Sequence, residues 1–296
     1  MRETLDSLAA QTVPPTLCLV VDDGSTDATP EILKEYQQHL PWLKVMRRPD
    51  RGIREVGAGP IDAFNEGQDT LNLEDYDFVC KLDLDLKLPD AYFETLMQRM
   101  QDDPRLGSCS GKPYIRAENG IEPEPCGNEL SVGMTKFYRV NCFIQIGGFE
   151  SILNWEAIDN HRARLLGWKI WAWDDVPELR FIHLRRMGSS HHNVLHGRYR
   201  HGAGQYIMGT GLSYIFASMV YRMASWPLIT GGLAIFWGYV HAWMTGEKRY
   251  GSRKFRKFLQ HYQWQCLIRG KHKATARIEA EQASEWKPEL LEFRPV

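Results

Sequence analysis

The 296-residue sequence lacks the patterns that mark several large classes of protein. Its six cysteines are scattered and include no C-x-x-C pair, which argues against a zinc site or a disulfide framework and favours a reducing compartment. No signal peptide is recognisable at the amino terminus. With 43% hydrophobic residues, 25% charged residues and a mean hydropathy of −0.41, the composition is that of a globular chain rather than a disordered or polytopic membrane protein.

Long apolar runs are also scarce. A helix that spans a bilayer needs about 20 apolar residues, and residues 206–221 and 226–243 are marginal because Arg222 and Pro227 interrupt them. The two stretches are either buried core helices or a membrane-inserted hairpin or interfacial pair. Tryptophans at both ends of the second stretch favour membrane association, since tryptophan is enriched at the headgroup level.

The net charge of −1 conceals a basic segment near the end of the chain. Residues 247–277 are rich in lysine and arginine, and Glu247 is the only acidic residue among them. Such a cluster is attracted to anionic lipid, whereas no module typical of nucleic-acid recognition accompanies it. We therefore expect residues 206–296 to form a helical, basic extension at an anionic membrane surface, with no nucleic-acid partner. The expected location is cytoplasmic, at the inner face of the cell membrane.

The first half of the sequence alternates strands with helices. The apolar segment 17–21 ends in Asp22-Asp23-Gly24-Ser25, and the apolar segment 78–82 ends in Asp83-Leu84-Asp85. Helix patterns follow both segments, starting near Pro30 and Pro89. This order predicts an α/β fold with a Rossmann-like, mostly parallel sheet flanked by helices. Because ligands bind at the carboxyl ends of such strands, the two acidic segments are expected to face one cleft.

The pair Asp83 and Asp85 is the strongest candidate site. Mg²⁺ or Mn²⁺ prefers one or two carboxylates together with substrate phosphate oxygens, so the pair predicts a metal–diphosphate site. Two solvated loop acids are the alternative, and the second acidic strand end favours the site. Asp22 and Asp23 either form a turn and helix cap or accept hydrogen bonds from a nucleobase or a ribose hydroxyl.

Several segments resemble one known family in order and spacing. They are 5–12, 20–27, the loop with Gly57, Gly59, Ala63, Asn65 and Gly67, 81–85, 147–149, 155–159 and 167–168. Together they resemble the family 2 glycosyltransferases, which have a GT-A fold and use nucleotide-sugar donors. The resemblance covers residues 2–205 and implies a glycosyltransferase domain over 1–205, followed by the extension.

The resemblance also implies roles for individual residues. Asp22 or Asp23 would contact the nucleobase or ribose, while Arg51 and Asn65 would lie in the loop beneath the nucleotide. Asp83 and Asp85 match the metal motif, with Asp83 also near the sugar or ribose. The first strand of the family would precede Arg2 and is absent, which implies a truncated chain, a misplaced start or an incomplete pocket. The Gln-x-x-Arg-Trp motif of processive synthases is missing, which favours transfer of single sugars.

The catalytic base is less sharply indicated. The family places a Glu-Asp pair at the start of the helix after the Gly-Gly-Phe turn, and the position of that Asp is occupied here by Glu156. Asp159 shares the same helix face at i+3 spacing and is the alternative, and ordinary polar residues at a helix start are the third interpretation. His183, at the end of a late strand, is either a metal ligand or a structural histidine.

Taken together, these features predict a metal-dependent, inverting hexosyltransferase. It would move a sugar from a nucleotide-sugar donor to a hydroxyl of a saccharide or lipid-linked acceptor, in polysaccharide or glycolipid biosynthesis. Two alternatives stay open. One is a sugar transferase to polyprenyl phosphate, and the other is a non-catalytic nucleotide-binding remnant, suggested by the missing strand and by Glu in place of Asp.

Overall fold

The alternation of strands and helices is present in the computed structural model, which describes residues 1–50, 59–118, 120–185 and 194–294. The chain divides into two compact units. The first unit comprises Met1–Phe143 and Trp171–Arg186, and the second comprises Ile144–Ile170 and Met187–Val296. The domain boundary that the sequence predicts at residue 205 stays a prediction.

The strands are short, and most belong to the first unit. In chain order they are β1 Cys18–Asp22, β2 Leu43–Arg47, β3 Phe78–Leu82, β4 Leu86–Lys87, β5 Leu106–Ser110, β6 Lys112–Ala117, β7 Gly120–Pro123, β8 Thr135–Arg139, β9 Lys169–Ala172 and β10 Arg180–His183.

The helices lie between the strands in the first unit and dominate the second. In chain order they are α1 Arg2–Ala9, α2 Thr29–Gln37, α3 Gly59–Gln68, α4 Tyr92–Asp102, α5 Val140–Gln145, α6 Trp155–Leu165, α7 Val194–Met208, α8 Leu212–Met223, α9 Thr230–Met244, α10 Arg253–Arg269 and α11 Lys271–Glu281.

Strand pairing in the described residues is mixed in direction. The pairs β1–β2 and β6–β10 are parallel, whereas β4–β10 and β6–β7 are antiparallel. These pairs belong to two sheets, and a third sheet has the order β3-β8-β5-β9, in which β8 runs antiparallel to both β3 and β5. The sheets are therefore mixed and not mostly parallel as the sequence predicts. A parallel pair needs a long crossover connection, usually a helix. The chain reaches β8 from β7 through the helix-free segment 124–134, so no helical crossover orients β8.

The core of the first unit explains the positions of the strand ends. One cluster packs α4 against β5, β8 and β10, and its fully buried members include Tyr92, Leu96 and Phe181. A second cluster packs α1 and α2 against β1 and β2, through Leu5, Leu33 and residues of both strands. Because burial of apolar side chains is the main favourable term in folding, these clusters fix β1 and β3. Asp83 and Asp85, which follow β3, are half-buried.

Helices α7, α8 and α9 of the second unit approach one another unusually closely. A Cβ added to Gly202 of α7 would lie 1.8 Å from the Ile235 carbonyl oxygen of α9, and one added to Gly238 would lie 2.0 Å from the Tyr199 carbonyl oxygen. A Cβ on Gly232 would lie 2.4 Å from the Met219 carbonyl oxygen of α8. The backbones are therefore in contact, which only glycine permits.

Substituting Gly202 by alanine is expected to force α7 and α9 apart. Overpacking of this kind costs about 1–3 kcal/mol, so we expect Gly202→Ala to lower the melting temperature by several degrees in a thermal unfolding measurement. Ser213→Ala, at an exposed position of α8, is the control and is expected to change stability by less than about 0.5 kcal/mol. Equal stability of the two variants would contradict the close helix contact.

The two apolar stretches of the sequence correspond to α8 and α9 with their flanking residues. Among the residues that the structure describes, no helix has the length and apolar character that crossing a bilayer requires.

Candidate active site

Asp22 ends β1, and its buried carboxylate shapes the turn that follows. Its Oδ1 accepts a hydrogen bond from the Ser25 backbone N–H at 2.8 Å, and its Oδ2 lies 3.6 Å from the Arg47 Nε. Gly24 has φ +79°, and a Cβ there would lie 2.4 Å from the Asp50 Cα, so the turn requires glycine. Asp22 therefore has a structural role in this turn, and its predicted contact with a nucleotide stays a prediction.

Asp23 belongs to a charged network at the same end of β1. Its Oδ1 accepts from the Arg48 Nη1 at 2.8 Å, and the Arg48 Nε pairs with the Glu66 Oε2 at 2.7 Å. Arg48 follows β2 directly, and Glu66 lies on α3 beside the half-buried Asn65. The network therefore brings Asp23 and the α3 segment with Asn65 to one end of the β1–β2 pair. Arg51 lies outside the described residues.

Asp83 follows β3 and is held by a lysine of that strand. Side chains two residues apart on a strand share a face, so Lys81 reaches Asp83, and its Nζ pairs with the Asp83 Oδ1. The same Nζ donates to the Gly133 carbonyl oxygen at 3.0 Å. The Asp83 backbone N–H donates to the Met134 carbonyl oxygen at 2.8 Å, which extends the β3–β8 pairing by one residue.

Asp85 has one satisfied and one unsatisfied carboxylate oxygen. Its Oδ2 accepts from Arg185, at 3.1 Å from the Nε and 2.9 Å from the Nη2. Its Oδ1 is buried and has no hydrogen-bond partner within the described part of the chain. A buried carboxylate oxygen without a partner is costly, so this atom marks a position where a cation would be stabilising.

Strand pairing places His183 beside the acidic segment. β4 begins directly after Asp85 and pairs with β10, so that His183 lies opposite Leu86 and the Asp85 carbonyl oxygen accepts from the Leu184 N–H at 2.8 Å. The His183 Nδ1 is 2.6 Å from the Glu124 Oε2, and both side chains are buried. A carboxylate on one imidazole nitrogen is common when the other nitrogen binds a metal, but it is equally the way a buried structural histidine is satisfied. The metal-ligand role of His183 stays a prediction.

The donor set around Asp83 and Asp85 fits a cation that a substrate completes. Within the described ranges, no group of three or more His, Cys, Asp and Glu side chains is placed to hold a metal ion. Mg²⁺ and Mn²⁺ at phosphate sites use only one or two carboxylates and take the remaining ligands from phosphate and water. The unpartnered Oδ1 of Asp85 and the carboxylate of Asp83, two residues earlier in the chain, are ligands of this type, and Lys81 and Arg185 pair with the two carboxylates.

The candidate bases lie on α6, in the second unit. The helix starts after Asn154, which has a left-handed backbone with φ 63°. Glu156 is exposed in the first turn, where the helix dipole stabilises a carboxylate. Asp159 is buried one turn later, and its Oδ1 accepts from the Asn160 backbone N–H at 2.6 Å. Accessibility therefore favours Glu156, and the base role of either residue stays a prediction.

The thiols on the two site-bearing strands are not available as nucleophiles near neutral pH. Desolvation raises the pKa of Cys18 on β1 to about 11. Desolvation likewise raises the pKa of Cys80 on β3 to about 12, although a hydrogen bond with Thr135 and the charge of Lys81 act in the opposite direction. Because only the thiolate is a good nucleophile or metal ligand, the chemistry of this region depends on its oxygen ligands.

Four residues of this region were missed by sequence reasoning, and only one of them had a clear signal. Lys81 is detectable from strand alternation, since it lies two residues before Asp83. Glu124 lies between two prolines and belongs to no motif, and only the tertiary structure joins it to His183. Arg48 and Arg185 each follow a strand, and their acidic partners are distant in sequence.

The fold and these acidic strand ends define a GT-A-type α/β protein. Residues 1–149, about half of the chain, match the family model described as glycosyl transferase family 2, and the chain belongs to this family. The family and the GT-A-type α/β class predicted from the sequence are both confirmed, with sheets that are mixed in direction and not mostly parallel.

Curated relatives are similar over a limited part of their length. A poly-beta-1,6-N-acetyl-D-glucosamine synthase of Staphylococcus epidermidis is 28% identical over 121 residues, which are 41% of this chain and 27% of that protein. The synthase of the same name from Staphylococcus aureus strain COL is 25% identical with the same coverage. The matched region thus spans about a quarter of these relatives.

Among solved structures, the mannosyltransferase PcManGT from Pyrobaculum calidifontis, in complex with GDP-Man and Mn²⁺, is similar with a TM-score of 0.49 and 16% sequence identity. The similarity covers 96% of this chain and 81% of that chain.

Proposed function

We propose that this protein is a metal-dependent, inverting hexosyltransferase that moves a sugar from a nucleotide-sugar donor to an acceptor hydroxyl. The observation that carries the proposal is the unpartnered, buried Oδ1 of Asp85, two residues after Asp83 in the segment that follows β3. Family membership supports a transferase. The relatives named as poly-N-acetylglucosamine synthases support a saccharide acceptor and a role in polysaccharide synthesis.

In the proposed reaction, an acceptor hydroxyl attacks the anomeric carbon opposite the nucleoside diphosphate. Glu156 takes the hydroxyl proton as general base, the new glycosidic bond forms as the bond to the diphosphate breaks, and the electron pair leaves with the diphosphate. One displacement inverts the configuration of the anomeric carbon. Mg²⁺ or Mn²⁺ at Asp83 and Asp85 supplies charge neutralisation for the leaving diphosphate.

The other site residues bind and orient the donor in this proposal. Asp23 and Asn65 lie at one end of the β1–β2 pair, where they would accept from and donate to the nucleoside. Lys81, near the end of β3, holds the Asp83 carboxylate in place by an ion pair. Arg185 neutralises Asp85 before the donor arrives. When the donor is bound, the same two N–H groups can donate to a phosphate instead, because a phosphate accepts two parallel hydrogen bonds from a guanidinium.

The proposed location is the inner face of the cell membrane, with the second unit in contact with anionic lipid. The basic segment 247–277 includes the exposed residues Lys254 and Lys257 on α10. Each lysine or arginine near an anionic surface contributes about 1 kcal/mol to binding. Contact with the membrane would place the protein near lipid-linked acceptors, so the lipid-linked and the saccharide acceptor are both part of the proposal.

A donor screen tests the proposed activity. We expect the protein with Mn²⁺ or Mg²⁺ to hydrolyse one of the UDP-, GDP- and dTDP-sugars slowly, and to transfer its sugar faster when the acceptor is added. Chelation of the metal is expected to stop both. The release of nucleoside diphosphate is measured directly, and saccharide and polyprenyl-phosphate acceptors are compared in parallel. Binding of a nucleoside diphosphate without hydrolysis or transfer of any donor would instead identify a non-catalytic remnant.

A further inference from the structure

The α8–α9 hairpin exposes large apolar side chains along its length. Three of them recur every fourth residue on α8, and therefore share one helix face, and others continue through the connection onto α9. Trp226 and Leu228 in the connection are 73% and 64% exposed. We call the following residues the hairpin surface: Leu212, Phe216, Val220, Trp226, Leu228, Ile229, Leu233 and Trp237.

The interior of the hairpin is packed without these residues. Ile215 of α8 and Ile235 and Tyr239 of α9 form a buried cluster with Tyr206 of α7. Close glycine contacts join the three helices, as described above. The hairpin surface is therefore additional to a complete core, and exposed apolar patches of this kind mark interaction sites in natural proteins.

Positive charge lies beside the hairpin connection. Arg198 of α7 is next to it, because its Nε lies 3.9 Å from the position of a Cβ added to Gly231. Desolvation and the nearby charge of Arg222, at the end of α8, lower the pKa of Arg198.

Within the described ranges, no acidic side chain pairs with this positive charge. The sequence contains no Asp or Glu from Leu179 to Gly246. Of the acids that the structure describes elsewhere, none forms an ion pair with Arg198 or Arg222. Two arginines close together beside exposed tryptophan and leucine match an anionic, amphipathic partner.

We infer that the hairpin surface inserts into the interfacial layer of a membrane that contains anionic phospholipid, with Arg198 and Arg222 bound to headgroup phosphates. The inference rests on the proposed membrane contact and specifies its surface and its lipid class. Helices with an apolar face and a basic flank lie in this layer without crossing it. Tryptophan is favoured at the same depth, which agrees with the exposed Trp226 and Trp237.

A second copy of the chain is a less suitable occupant of the hairpin surface. A symmetric dimer would place this surface against itself. The two arginines of each copy would then approach those of the other, and the hairpin has no carboxylate to offset the repulsion. Phosphate headgroups supply that negative charge.

Flotation of the full chain with lipid vesicles tests the inference. We expect binding to phosphatidylcholine vesicles that contain phosphatidylglycerol, and weak binding to phosphatidylcholine alone. Trp226→Glu with Leu228→Glu is expected to lower the partition coefficient by at least about tenfold, because apolar insertion is lost. Arg198→Gln with Arg222→Gln is expected to lower it about 30-fold on anionic vesicles, from about 1 kcal/mol for each charge.

Two controls separate a loss of binding from a loss of structure. Ile121→Glu changes an equally apolar, exposed residue of β7 in the first unit and is expected to leave vesicle binding unchanged. Quenching by brominated lipid uses conservative substitutions instead. The quenched fraction of the tryptophan fluorescence is expected to fall when Trp226 is replaced by phenylalanine, with no change in the circular dichroism spectrum.

The outcomes distinguish this inference from the rest of the proposed function. If the wild-type chain binds anionic vesicles and both hairpin variants bind equally well, the hairpin surface is not the docking site. Loss of binding in the variant that combines Lys254→Glu and Lys257→Glu would then show that α10 is the docking site. A dimer in solution that the Trp226→Glu and Leu228→Glu variant dissociates would also overturn the inference. Donor hydrolysis measured without vesicles reports on catalysis alone, so its absence would overturn the transferase and leave the membrane result intact.

Discussion

Replacing Asp85 by asparagine is expected to lower kcat/KM for the donor by about a thousandfold. The substitution preserves shape and removes the negative charge that would hold a metal ion against the departing diphosphate. Electrostatic stabilisation of a leaving group is among the largest single contributions to catalysis, and losing one element of it costs about 10²–10³ in rate, with metal charge adding to that figure. Initial rates are measured while Mn²⁺ is titrated, so that weaker metal binding appears as a higher half-saturating concentration.

The matched control for this prediction is Asp69→Asn, which removes a carboxylate from an exposed position after α3 in the same unit. It is expected to alter the rate by less than about twofold and the stability by less than about 0.5 kcal/mol. The Asp85 variant also loses an ion pair with Arg185, whose side chain is 61% exposed although that of Asp85 is only 23% exposed, and pairs made at the surface contribute little to stability. It also loses the cost of the buried, unpartnered Oδ1. Its melting temperature is therefore expected to stay close to that of the wild type. Full turnover of Asp85→Asn, or of the wild type in the presence of a chelator, would refute the proposed metal site.

Strand positions in the first unit were predictable because their local signals are strong. The segment 78–82 is a short apolar run bounded by polar residues, and β3 has those bounds. The predicted strand at 17–21 differs from β1 by one residue at each end. The direction of β8 and the two-residue strand β4 were not predictable, because both depend on partners that are distant in sequence.

The candidate site was predictable as a set of residue types and less so as a set of contacts. Two acidic strand ends and the family resemblance were sufficient to single out Asp22, Asp23, Asp83 and Asp85. Their present partners come from tertiary structure: Arg185 reaches Asp85 only because β10 pairs with β4. His183 was noticed as a strand-end histidine, but the carboxylate of Glu124 beside it depends on where the segment after β7 folds.

In the second unit, composition alone could not decide whether the two apolar stretches are core helices or membrane-associated helices. The apolar stretches were compatible with core helices or with membrane association, and α8 and α9 have features of both. One side of the hairpin packs through Ile215, Ile235 and glycine contacts. The other side exposes Phe216 and Trp226. A hydropathy pattern averages over both faces, so only the three-dimensional packing separates the buried residues from the exposed ones.

Glu156→Gln is expected to reduce sugar transfer to a hydroxyl acceptor by about 10²–10⁴-fold, the usual contribution of a general base. Glutamine keeps the length of the side chain but cannot accept the proton. Calorimetric titration with nucleoside diphosphate and Mn²⁺ is expected to give an unchanged dissociation constant, because Glu156 has no role in holding the donor. Glu289→Gln, at an exposed position of the same unit, is the control and is expected to leave the rate unchanged.

The comparison with Asp159→Asn distinguishes the two candidate bases. Asp159 is buried and accepts a backbone hydrogen bond at the Asn160 N–H, so we expect its substitution to lower the melting temperature more than the rate. The reverse pattern, with transfer abolished in Asp159→Asn and retained in Glu156→Gln, would move the base one helical turn along α6. The acceptor matters as well, because a phosphate oxygen is already ionised near neutral pH and needs no base. If Glu156→Gln transferred sugar to polyprenyl phosphate at the wild-type rate, the acceptor class would be a lipid phosphate, and the hydroxyl mechanism would be wrong.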